Sequence, residues 1–113
     1  MSNAPVLNMA VHKVSLDLFL EAGMDALVER SQSLTAYLET LVGIVAERTG
    51  TNLEILTPSA TEARGCQLSV VAHGYGRTLF EHLMAHGVIV DWREPAVIRM
   101  APVPLYNLSL IHI

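Results

Sequence analysis

The sequence predicts a single α+β domain: two N-terminal helices, then a small, mostly antiparallel sheet with one covering helix. Three observations predict it. From Pro5 to Arg48 apolar residues recur at helical spacing, broken at Gly23. From Leu53 onward the pattern shifts to short apolar runs punctuated by Gly, Pro and polar residues, which is how strands and turns read. Thr78 to His86 then restores a helical pattern between those runs. Long helices followed by a short sheet with one helix on it belong to the α+β class, and a chain of 113 residues suits one domain.

Each element has a local reason. Pro5 suits a first helical turn, where its missing N–H is no loss, and Ser2 and Asn3 precede it as capping side chains. Leu7, Val11, Val14, Leu18 and Ala22 mark one face of the first helix, and Asn8, His12, Ser15, Lys13, Asp17 and Glu21 fall on others. Gly23 ends or bends it. A second helix spans Met24 to Arg48, with Leu27, Leu34, Tyr37, Leu38, Leu41 and Val45 at helical spacing and Gly50 as its stop. Gly43 weakens its interior by about 1 kcal/mol relative to Ala. Leu53 to Leu56 reads as a short strand ended by Pro58, and Ser59 to Gly65 as a loop. Cys66 to Ala72 is the next strand, with Cys66, Leu68, Val70 and Ala72 on one face. Gly74-Tyr75-Gly76 turns the chain into the short helix, whose apolar arc is Leu79, Phe80, Leu83 and Met84 and whose stop is Gly87. Val88 to Val90 and Val97 to Ala101 read as two last strands around a turn at Asp91 to Pro95. No repeat marks the order of the strands.

Composition narrows the function. The chain is 51% hydrophobic, with a mean hydropathy of +0.40, apolar for a domain of this size. That excess fits either a well-filled core or a surface that packs on something else. The net charge is −4 and the basic residues are scattered, which argues against nucleic acid. No apolar run reaches the ~18–20 residues of a membrane span, and Met1 to Ala10 lacks the basic start of a signal peptide. The single cysteine, Cys66, suits a reducing, cytoplasmic setting and reads as an inert buried thiol.

Most chemical motifs fail on spacing. His82 and His86 stand four apart but lack a third metal ligand and an acidic partner between them. Gly74-Tyr75-Gly76 is too short for a phosphate loop, and no nucleophile elbow is present. Lys13 is the only lysine and reads as a solvated surface residue. Arg99 differs. It ends an apolar strand, and Pro102 and Pro104 then force a stiff exit from the sheet. A guanidinium held that way suits bidentate capture of a carboxylate or phosphate. The competing reading is a strand-end arginine paired with an acidic neighbour.

Four blocks carry a family resemblance. They are Ser2-Asn3-Ala4-Pro5-Val6-Leu7, the helical stretch from Ser15 through Leu34-Thr35-Ala36-Tyr37-Leu38-Glu39, Arg64-Gly65-Cys66-Gln67-Leu68-Ser69, and Arg99 to Asn107. With Gly87 to Arg93, they make residues 1–107 resemble the C-terminal small domain of kynureninase, a pyridoxal-phosphate enzyme of the type I fold. The resemblance implies a homodimeric enzyme that hydrolyses L-kynurenine or 3-hydroxykynurenine, giving anthranilate and L-alanine from the former, in tryptophan catabolism and NAD biosynthesis. It implies that Arg99 binds the substrate α-carboxylate and that Asn3, with Ser2 beside it, reaches the substrate's aromatic end. It also implies that the lysine holding pyridoxal phosphate lies outside this chain, which then holds no catalytic residue and no metal and is inactive alone. Ala4 replaces a proline usual in the family, and Leu108 to Ile113 departs from the pattern and reads as an atypical tail. Two other readings compete: a stand-alone amino-acid-binding or dimerisation module, and the small domain of another type I pyridoxal enzyme, against which the Arg99 to Asn107 wording argues.

Overall fold

The computed structural model describes residues 3–106. Helix α1 (Val6–Ala22) starts after Pro5, whose carbonyl accepts the Met9 N–H at 2.9 Å. No side chain caps it, so Asn3 does not play the capping part expected of it; Ser2 lies outside the described residues. Gly23, at φ 85°, separates α1 from helix α2 (Met24–Thr49). Gly50 closes α2 in the left-handed region (φ 65°, ψ 20°) and its N–H reaches the Ala46 carbonyl, a conformation glycine adopts without a Cβ penalty.

Four strands follow: β1 (Leu53–Ile55), β2 (Leu68–Ala72), β3 (Asp91–Arg93) and β4 (Val97–Met100). They form one antiparallel sheet in the order β1-β2-β4-β3. Helix α3 (Thr78–Ala85) connects β2 to β3, and a single 3-10 turn (Thr61–Ala63) occupies the loop before β2. The α+β class and the helix, helix, strand, strand, helix, strand, strand order are as the sequence predicts.

One strand is displaced. Val88 to Val90 do not pair; the strand is Asp91–Arg93, where the sequence suggests a turn. The cause is the end of α3. Gly87 takes φ 80°, its N–H reaches the Met84 carbonyl, and the Val88 N–H reaches Leu83 at 2.9 Å, so Val88 belongs to the helix stop. The turn is Glu94-Pro95-Ala96, with a cis bond before Pro95, and it sets Arg93 against Val97, Trp92 against Ile98 and Asp91 against Arg99. Strand β2 likewise begins at Leu68 rather than Cys66.

Strand alternation divides the sheet into two faces. Leu68, Val70, Ala72 and Ile98 are buried on the inner face. Val42 of α2 joins Leu68 and Val70 in the core, flanked by Leu38, Leu53 and Ile55. The buried stripe of α2 is therefore Leu27, Leu34, Thr35 and Val42; Tyr37, Leu41 and Val45, expected on it, are exposed. Helix α3 is anchored at Phe80, whose ring lies 5.9 Å from that of Trp92, with the Arg77 guanidinium over both. Helix α1 buries no residue at all, and its expected core face is open to solvent.

Candidate functional site

The outer face of the sheet carries the polar groups. Register places Ser69 of β2, Arg99 of β4 and Asp91 of β3 in one row across three strands. Arg99 donates from Nε to Asp91 Oδ2 at 2.7 Å and from Nη2 to the same oxygen. Arg93, two residues along β3 and so on the same face, brings its Nε to 3.1 Å from that oxygen. Two guanidinium groups thus share one carboxylate, which leaves a local surplus of positive charge. The hydrogen bonds from Arg99 hold the Asp91 carboxyl below the usual carboxylate range; loss of hydration opposes them, and the charges of Arg99 and Arg93 add to the lowering.

The Arg99 side chain is 32% exposed, and its Nη1 bonds to no described residue. A planar cation, fixed along one edge and open along the other, can take a second carboxylate or phosphate. Beside it the Gln67 amide donates to Ser69 Oγ at 3.2 Å. Asn3 is exposed ahead of α1, with no hydrogen bond to a described residue, so Arg99 and Asn3 are not joined here.

Asp91 and Arg93 complete the ionic cluster around Arg99, and neither is singled out in the sequence reading. The signal was available: Asp91 and Arg99 are placed symmetrically about Pro95, as are Arg93 and Val97, and a hairpin centred there pairs both sets.

The weaker motifs remain structural. His86 Nδ1 lies 2.8 Å from the His82 carbonyl and the two rings stack at 4.1 Å. No group of three metal-binding side chains occurs among the described residues. Lys13 is exposed and pairs with Asp17 at 2.8 Å. Cys66 is only half-buried, because it precedes the strand, and it lines a cavity of about 360 Å³ with Phe19, Leu27, Thr35, Arg64 and Leu105. Arg64 is nearly buried there, held by Glu39 at 2.7 Å and the Pro58 carbonyl at 3.4 Å; it ties the loop before β2 to α2. No helix among the described residues is long and apolar enough to cross a membrane.

A family model, the kynureninase C-terminal domain, matches residues 27–109, which takes in the whole sheet and most of α2. The chain belongs to the kynureninase C-terminal domain family. Among curated proteins it is 51% identical over 105 residues to a kynureninase of Flavobacterium johnsoniae, covering 93% of this chain and 25% of that one. A kynureninase of Xanthomonas oryzae pv. oryzae is 54% identical over 110 residues, covering 95% and 25%. One of Stenotrophomonas maltophilia is 51% identical over the same length and the same shares. The chain therefore spans about a quarter of the kynureninases it matches.

Proposed function

We propose that this chain is the C-terminal part of a pyridoxal-phosphate-dependent kynureninase that hydrolyses L-kynurenine or 3-hydroxykynurenine, and that it supplies the substrate-carboxylate site through Arg99. The observation that carries the reading is Arg99 itself, fixed on the open face of the sheet by Asp91 with Nη1 unbonded among the described residues. Holding the α-carboxylate there fixes the orientation of the substrate, and orientation accounts for a large share of a catalysed barrier. In the same reading Asn3 and Ser2 contact the substrate's aromatic end, and the enzyme is a cytoplasmic homodimer.

The residues described here do not fit attachment of the cofactor. The only lysine, Lys13, is solvated on α1 and ion-paired to Asp17. In this reading the attachment lysine lies in the remaining three quarters of the enzyme, so no step of the reaction is assigned to this chain's own side chains beyond binding and orienting substrate. The isolated chain, mixed with pyridoxal phosphate and kynurenine, is expected to release no anthranilate.

The test is steady-state kinetics of Arg99→Met in a full-length kynureninase carrying this domain. Loss of a buried charge partner costs on the order of 2–5 kcal/mol of transition-state binding, read as a fall in kcat/KM. Kinetics unchanged from the parent enzyme would remove Arg99 from the carboxylate site.

A further inference from the structure

Helix α1 has an unusual distribution of apolar side chains. Leu7, Val11, Val14, Leu18 and Ala22 form one stripe along it, at steps of three and four. Met9, Leu16 and Leu20 form a second, on the opposite side of the helix at 3.6 residues per turn. Two polar strips separate them. One is Lys13, Asp17 and Glu21, with Val6 and Ala10 among them and Lys13 and Asp17 ion-paired at 2.8 Å; the other is Asn8, His12 and Ser15, interrupted by Phe19, which lines the cavity against α2. Both apolar stripes are open: Leu7 is 82% exposed, Leu18 50%, Met9 56% and Leu20 78%.

A helix that lies on a surface needs one apolar stripe. Two opposed stripes with polar strips between them fit a helix held between two walls, its charged edges reaching solvent. Nothing among the described residues supplies either wall. The matched relatives do have material to supply them, since the match takes up only 25% of their length.

We propose that α1 is a two-sided insert, clamped between two apolar walls that both belong to the remaining three quarters of the kynureninase chain. One wall covers Leu7, Val11, Val14 and Leu18; the other covers Met9, Leu16 and Leu20. The inference rests on the reading of this chain as part of a kynureninase.

Hydroxyl-radical footprinting of a full-length kynureninase carrying this domain, read by peptide mass spectrometry, tests it without any substitution. Leu7 and Leu18 on one stripe and Met9 and Leu20 on the other are all expected to oxidise roughly tenfold or more slowly than in this chain alone, as residues in a packed interface do. Thiol labelling gives a second measure: Val14→Cys and Leu20→Cys are expected to be protected and Asp17→Cys reactive. Oxidation of either stripe at the isolated-chain rate overturns the clamp. Protection of one stripe that disappears on dilution to the monomer also overturns it, by assigning that wall to a second copy. Anthranilate release, assayed on the same sample, reports the functional reading separately: both stripes covered in an enzyme that does not cleave kynurenine would sink that reading and leave the clamp standing.

Discussion

In the proposed carboxylate site, Asp91 sets how Arg99 is held. An arginine free to rotate loses side-chain entropy when it captures an anion. Here Asp91 holds Arg99 along one edge before any ligand arrives, and Arg93 keeps the cluster net positive. Removing the clamp should therefore weaken ground-state binding more than turnover. In a full-length kynureninase, Asp91→Asn is expected to raise KM by about tenfold, the size of one lost charge-assisted hydrogen bond, with kcat changed far less. An equal fall in kcat at constant KM would mean that Asp91 acts elsewhere. The pair also has a pH signature. The Asp91 carboxyl titrates lower in the folded chain than in the unfolded one, so its contribution to stability is present above the unfolded value and is lost as pH falls through the folded one. Carboxyl carbon NMR of the isolated chain should show Asp91 titrating below the usual carboxylate range. Arg99→Met should move it back toward that range.

At the level of elements, legibility followed the strength of the local signal. The long periodic run of α2 and the left-handed stop at Gly50 were readable, because a 3.6-residue pattern over many turns has few rivals. Strand β3 was not. A run of three valines and isoleucines at 88–90 outweighed the charged Asp91-Trp92-Arg93, yet the helix stop claimed Val88 and the hairpin register claimed the charged triplet. That Arg99 pairs with an acidic neighbour was one of the two readings the sequence offered, but which acid it pairs with was hidden because pairing across a hairpin depends on where the turn falls. The buried stripe of α2 also drifted from the expected one, and it took in Thr35, whose Oγ1 is buried with no hydrogen-bond partner. An unpaired buried hydroxyl costs roughly 1–3 kcal/mol, so the near-isosteric Thr35→Val should stabilise the isolated chain by about 1 kcal/mol in urea unfolding. A destabilised variant would show that the hydroxyl is satisfied in solution. Gly50→Ala should act in the opposite sense by about 1 kcal/mol, since no neighbouring atom lies within 4 Å of the added Cβ and only the positive φ opposes it.

For the whole molecule, the apolar excess in the composition has a definite address. The buried apolar residues are few and lie in α2, β2 and β4, while much of the exposed apolar surface is on α1. The molecule is accordingly elongated, 53 × 32 × 27 Å, rather than closed around a central core. This separation of core and apolar surface predicts how the chain responds to truncation. A chain beginning at Met24 loses none of the buried residues and keeps every strand pairing, so its unfolding free energy should change by no more than about 1 kcal/mol, because tolerance follows the burial of what is removed. Its tendency to self-associate should fall, since exposed apolar patches drive association. Urea unfolding and concentration-dependent light scattering of the two chains measure both effects. If the shortened chain failed to unfold cooperatively, α1 would be part of the folding unit through its packing at the Phe19 end, where it lines the cavity with Leu27 and Leu105. If it folded but associated as strongly as the full chain, the sticky surface would lie on the remaining domain, and the apolar stripes of α1 would not be what keeps this domain attached to its enzyme.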